Sequence, residues 1–274
     1  MKVLIFAGDS AHQRDTASRL ALGLAGTGFE ATVVAAARGE GETRIERAAG
    51  LARLVRTDAA PHHWQRSRSA SAAALVRALL REEAPDLVHV LGWRGLTRDL
   101  VALADAAGIR AVVTLSDAWF GCLVGDRVRR DASEDPCTRT LGPSPCLACA
   151  ESAVGGTPWV PIEARFMAVA ERMRDTATEL ALARHVIVVD PRLAGAAPEK
   201  YVERALALQL PCAKFSVLAD AGDAAAHVAV YESALRTEAP AAADRTPAWW
   251  AERMQIEAER GWDESFARAA GERA

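Results

Sequence analysis

Four of the five cysteines, Cys122, Cys137, Cys146 and Cys149, fall in one stretch of the 274-residue chain, and the last two form a Cys-x-x-Cys pair. That spacing lets two thiolates reach one ion from a tight turn. Cys122 and Cys137 supply the second pair that a tetrahedral four-sulfur zinc site needs. Pro136, Gly142, Pro143 and Pro145 around them make turns but no core, so a Zn2+ ion would give the segment its order. An iron–sulfur cluster needs the same four thiolates, and unrelated small buried thiols are the plain alternative. A thioredoxin-like dithiol fits poorly, because the pair lies in a long loop and not between a strand and a helix. Four protein sulfurs leave zinc no open position, so the site is expected to be structural. Cys212 stands alone before a strand and reads as an ordinary semi-buried residue.

A second set of chemically able residues sits where apolar runs end. Asp9, Ser10 and His12 follow the first run, Trp93 and Arg94 follow another, and Ser116, Asp117 and Trp119 follow a third. A carboxylate beside an aromatic platform suits a sugar, which offers hydroxyls at its rim and apolar faces for stacking. Asp117 and His12 are the candidate bases; Asp9, Ser10, Trp93, Arg94, Ser116 and Trp119 are the candidate substrate contacts. Each has a plainer reading. Asp9 and Asp117 could cap the turns that follow them, and Trp93 could cover a sheet edge. His89, inside a buried run, reads as a hydrogen-bonded core histidine. His62 and His63 follow Pro61 in a surface loop.

The elements that would position these residues alternate. Short apolar runs at 2–7, 30–36, 87–91, 109–115, 185–189 and 213–218, with a weaker one at 51–56, are separated by segments of helical period. That rhythm predicts βαβ units and a parallel sheet. The helices are expected from Asp15 or Thr16 (as N-cap) to Gly26, then over 69–83, 96–107, 162–180 and 193–206. From Ser116 to Pro161 the rhythm breaks, with Gly, Pro, Cys and Asp and no period of either kind. A loop of that length in a compact domain points to function or to a staple. Thr237 to Pro247 looks like a linker. Trp250, Met254, Ala258, Trp262 and Phe266 then fall four apart on a last helix that would dock onto the body.

The fold class expected is α/β, a single Rossmann-like doubly wound parallel sheet with a cysteine-rich insert loop and a C-terminal docking helix. Residues 1–223 would form the domain, 116–161 the insert, and 224–274 a linker and C-terminal helices packed on it. Half of the residues are hydrophobic and a quarter charged, as in a packed globular protein. A net charge of −3 with scattered arginines argues against nucleic acid. No apolar run approaches the roughly 20 residues that cross a bilayer, and the N-terminal run is followed at once by Asp9. A cytoplasmic chain without a transmembrane segment is therefore expected, with its cysteines reduced.

On these residues the chain resembles the N-terminal, acceptor-side domains of family 4 glycosyltransferases of the GT-B fold. Pro85-Asp86-Leu87-Val88-His89-Val90-Leu91, followed by Gly92-Trp93 and Gly95-Leu96, is similar to the "PDVVHVH…WG" strand and loop of that family. Ile109 to Cys122 resembles its "IPVVLTLHDYWFLC" segment, and a cysteine-bearing insert follows that segment in a subset of these enzymes. Gly26 to Val34 is similar to "RRGHEVTVV", Ala183 to Asp190 to "ADRVIAPS", and Phe215 through Asp223 to "IRVLPNGVD". The resemblance covers residues 1 to about 223 and implies the acceptor-binding half of a transferase that moves a sugar from a nucleotide sugar to an acceptor hydroxyl. It also marks departures. The Gly-Gly loop after the first strand is Gly8-Asp9-Ser10-Ala11-His12 here, and the His of "LHDYW" is Ser116. The second, nucleotide-sugar-binding domain has no counterpart. Glu163 with Glu171, and Glu264 with Glu272, have the spacing of its Glu-x7-Glu pair but lack the surrounding Gly and Pro, and read as solvated helix positions. The implied partners are a sugar-containing acceptor and a separate nucleotide-sugar-binding subunit. The alternative is a non-catalytic binding or scaffold protein, a pseudo-glycosyltransferase with a structural zinc site.

Overall fold

The structure is a computed structural model and describes residues 1–38, 44–48, 51–56, 69–115, 143–154, 161–189, 215–218 and 220–238. It divides into two compact units. The first comprises Met1–Ala60, Arg68–Ser116 and Thr178–Arg245; the second comprises Pro61–Ser67, Asp117–Ala177 and Thr246–Ala274.

The first unit is built on one sheet. Its strands are β1 (Lys2–Ala7), β2 (Glu30–Arg38), β3 (Arg44–Ala48), β4 (Leu51–Arg56), β5 (Leu87–Val90), β6 (Arg110–Leu115), β7 (His185–Val189) and β8 (Phe215–Leu218). They lie in the order β3-β4-β2-β1-β5-β6-β7-β8. Every described neighbour pair is parallel except β3 with β4, where Arg44 faces Val55 and Ala48 faces Leu51 across an antiparallel ladder. The expected parallel sheet thus carries one antiparallel edge strand. Arg44-Ile45-Glu46-Arg47-Ala48 has one large apolar side chain and so gave no apolar run to read. The central strands are buried along their length because parallel strands covered on both faces meet no water.

The helices are α1 (Ala11–Leu24), α2 (Ala70–Glu83), α3 (Leu100–Ala106), α4 (Pro143–Val154), α5 (Ile162–Leu182) and α6 (Ala224–Arg236). α1 starts earlier than the Asp15 or Thr16 cap expected, because Ser10 is the N-cap: its backbone is extended and its Oγ accepts from the Gln13 amide. α3 starts later than residue 96, after a turn in which the Leu96 amide donates to the Trp93 carbonyl. α1 buries Ala17, Leu20 and Leu24, and α6 buries Val230, Tyr231 and Ala234, in one core with Val3, Ile5, Leu87, Val112 and Ile187.

In the second unit the Cys-x-x-Cys pair is helical, and that corrects the tight turn expected for it. Pro143 and Pro145 occupy the first turn of α4, where proline lacks nothing the helix needs. Leu147 and Ala150 then pack on Phe166 and Val169 of α5, with Cys146 against the same small core. Arg165 pairs with Glu151 between these helices. The insert from residue 116 to 142, the expected helix at 193–206 and the Trp262 helix lie outside the described residues.

His89 is the hydrogen-bonded core histidine that its place in an apolar run predicted. It is fully buried, with Nδ1 2.7 Å from the Tyr231 hydroxyl and Nε2 2.7 Å from Thr114 Oγ1. The His227 ring lies 5.2 Å away. Each nitrogen of a neutral imidazole is thereby matched with a hydroxyl, which can donate to one and accept from the other. Tyr231→Phe removes one partner and leaves His89 Nδ1 buried without it. Urea unfolding of this variant is expected to show a loss of about 1–3 kcal/mol, and an unchanged midpoint would contradict the network.

Candidate functional site

The strand order reverses at β1: β2 lies on one side and β5 on the other. In an open parallel sheet such a reversal leaves a crevice beyond the carboxyl ends of the two strands, where ligands bind. The loops that flank it are Gly8–Ser10, leaving β1, and Leu91–Leu96, leaving β5.

These loops are locked together by short-range contacts. The Gln13 side chain, 2% exposed, stands between them and donates from Nε2 to the Leu91 carbonyl at 3.1 Å. A Cβ at either Gly8 or Gly92 would collide with the Gln13 amide, so the two glycines are what lets it fit. The Asp9 amide donates to the Arg94 carbonyl at 2.9 Å, and Arg94 Nε lies 3.1 Å from Asp9 Oδ1. Arg14 Nη1 donates to the Asp9 carbonyl at 2.7 Å. Gly95 holds φ +75°, and a Cβ there would press on Ala36 and Asp9, so this turn needs glycine.

Of the residues singled out by sequence, Asp9, Ser10, Trp93 and Arg94 come together here. Asp9 is mostly covered, its side chain 12% exposed against 33% for Arg94. Ser10 Oγ accepts the capping bond of α1 from the Gln13 amide. His12 is exposed in the first turn of α1. Trp93 is buried at 5% exposure and donates from Nε1 to Glu179 at 3.0 Å, so its ring covers the sheet edge in this state. Ser116, Asp117, Trp119, Cys122 and Cys137 lie outside the described residues. Cys146 and Cys149 share one side of α4, three residues apart, which suits two ligands of one ion. Among the described residues no group of three or more His, Cys, Asp or Glu is placed to hold a metal. Glu163 and Glu171 are exposed on α5, the solvated positions expected of them.

Two residues that shape the crevice were not picked out by sequence: Gln13 and Glu179. Gln13 carries no signal except the two glycines whose missing side chains admit it. Glu179 is fully buried at the end of α5, and its carboxyl accepts from Trp93 Nε1, from the Val101 amide at 2.7 Å and from the Ala102 amide at 2.9 Å. The last two are orphan donors of the first turn of α3, which Asp99 at the N-cap position leaves uncapped. A glutamate 77 residues further on performs the cap, and no local pattern announces it.

Burial outweighs the three donors and pushes the Glu179 carboxyl up to about 8. Burial also lowers His89 well below 6.5, helped by His227, and lowers His227 itself. The two kinds of shift pull stability in opposite directions. The histidines stay neutral in the fold, so their contribution is intact above about 6.5 and is lost as the pH falls below it. Glu179 holds a proton in the fold, so its contribution is intact below about 4.5 and is lost as the pH rises toward 8. Among these described groups the histidines favour the fold as the pH rises to 6.5, and the glutamate disfavours it above that. Urea unfolding is expected to show greatest stability near pH 6.5, falling toward pH 8 by roughly 1.4 kcal/mol per unit. Glu179→Gln should flatten that alkaline limb and keep the acid one. A wild-type stability that stays level or rises from pH 6.5 to 8 would contradict this assignment.

Comparison with known proteins agrees with the geometry in class. A family model described as a glycosyl transferase 4-like domain matches residues 13–213. No curated protein matches the chain. Among solved structures, a sucrose-phosphate synthase fragment from Thermosynechococcus elongatus is 12% identical with a TM-score of 0.43, and the match covers 85% of this chain and 97% of that one. A UGT transferase from Siraitia grosvenorii in complex with UDP is 12% identical with a TM-score of 0.42, over 80% of this chain and 47% of that one. A UDP-glucosyltransferase from Polygonum tinctorium capable of glucosylating indoxyl is 13% identical with a TM-score of 0.41, over 72% of this chain and 49% of that one. The chain thus spans about half the length of these last two proteins. No described helix is long and apolar enough to cross a membrane. With the family model matched over most of its length, the chain belongs to the glycosyl transferase 4-like domain family.

Proposed function

We propose that this chain is the acceptor-binding half of a GT-B glycosyltransferase and that a separate subunit binds the nucleotide sugar. The observation that carries this reading is the reversal of strand order between β1 and β5, where Asp9 and Arg94 meet in a chain of the glycosyl transferase 4-like domain family. In the reaction, an acceptor hydroxyl attacks the anomeric carbon, the bond to the nucleoside diphosphate breaks, and the hydroxyl proton passes to a base. His12 or Asp117 would be that base. Asp9, Ser10 and Arg94 would bind acceptor hydroxyls, with Ser116, Trp119 and Trp93 as further contacts. The family's Glu-x7-Glu nucleotide-sugar motif has no counterpart among the described residues, since Glu163 and Glu171 are solvated.

One observation favours a second reading, a non-catalytic scaffold. Asp9 is nearly covered and is already paired with Arg94, and Trp93 is turned into the protein. Both readings keep a structural Zn2+ site made by Cys122, Cys137, Cys146 and Cys149, in which the ion would tie the insert to α4.

Titration with UDP, GDP and TDP sugars, followed by thermal shift, is expected to leave the melting temperature of this chain unchanged. A glycan array is expected to give hits that weaken about tenfold or more in Asp9→Asn, the cost of a charged hydrogen bond. Saturable nucleotide-sugar binding by the chain alone would overturn the split-transferase reading, and an array without hits would favour the scaffold. Elemental analysis of gently purified protein should find about one zinc per chain. Less than about half an equivalent of zinc or iron would count against the four-cysteine site.

A further inference from the structure

We propose that Glu179 is the positioning residue of the crevice wall, holding the loop after β5 in the shape that presents Arg94 to Asp9. Its carboxyl takes three N–H donors from the two ends of one segment: the Trp93 indole, just past β5, and the Val101 and Ala102 amides, in the first turn of α3. A single group on α5 therefore fixes both ends of residues 93–102. The segment has no cap of its own, because the Asp99 side chain makes no capping bond and its backbone (φ −102°, ψ 30°) departs from the extended N-cap conformation of Ser10, Ser69 and Asp223.

Arg94 is the residue next to Trp93, and it holds Asp9 by two contacts, one through its carbonyl and one through Nε. Gly95 follows at φ +75°, a conformation that turns the chain back under Asp9. Displacing the Trp93 ring therefore moves the Arg94 backbone, and Asp9 follows through the amide bond it donates. The burial of Glu179 makes the link stiff, since its bonds from the Trp93 indole and the Val101 amide are shut away from water that could take the carboxyl's place. That this wall belongs to an acceptor crevice rests on the function proposed above; the clamp itself does not.

The test uses the full chain labelled with nitrogen-15 and contains no sugar, so its failure and that of the acceptor reading are separate events. Trp93→Phe assigns the indole resonance. In Glu179→Ala, well below its melting temperature, the Trp93 indole and the Asp9 and Arg94 amides are expected to shift while Val3 to Phe6 stay in place. Excess sodium formate, which fits the vacated carboxylate position, should move them back, and sodium chloride at the same ionic strength should not. Glu179→Gln, which keeps one acceptor oxygen, should lie between, and it serves as the reading if Glu179→Ala does not fold. Unmoved Asp9 and Arg94 resonances in the variant that folds would overturn the proposal. So would shifts that chloride reverses as well as formate.

Discussion

The reversal of strand order at β1 is the constraint on which the carboxyl edge of the sheet depends. With β2 to one side and β5 to the other, the chain leaving β1 and the chain leaving β5 must part, as at the switch point of any open parallel sheet. A gap of bare backbone would leave polar groups unpaired, and the Gln13 amide closes its floor by binding the Leu91 carbonyl. Only glycine at 8 and 92 leaves space for that amide. Sequence, backbone path and crevice shape are tied together at these three positions.

The second layer of control is electrostatic. Burying the Glu179 carboxyl carries a desolvation cost of several kcal/mol for the charged form, offset by three N–H donors and the positive end of α3. The balance still favours the protonated form at neutral pH. The His89, Thr114 and Tyr231 network makes the opposite choice, staying neutral by matching each ring nitrogen to a hydroxyl. Both arrangements join residues distant in sequence: one ties the central strands β5 and β6 to α6, the other ties the loop after β5 and the start of α3 to the end of α5.

Most of the sheet was legible because a buried parallel strand has to be continuously apolar, as in Leu4-Ile5-Phe6 or Val186-Ile187-Val188. The antiparallel β3 was not, since Arg44-Ile45-Glu46-Arg47-Ala48 has one large apolar residue among charged ones and makes no apolar run. α4 was hidden by its prolines, which read as turn residues until their place in the first turn is known. Asp9, Ser10, Trp93 and Arg94 could be found from their positions at strand ends. Gln13 and Glu179 could not, because their roles arise from contacts across 78 and 86 residues of chain. A side chain's partner at that distance leaves no trace in local spacing.

The central claim, that the β1/β5 crevice receives a sugar-bearing acceptor, is met most directly by backbone amide hydrogen exchange with and without a glycan selected on the array. The account predicts slowed exchange concentrated in Gly8 to Arg14 and Leu91 to Leu96, with the opposite, amino-terminal edge of the sheet unchanged. Protection confined to other segments, with these two loops exchanging as in the free protein, would contradict it.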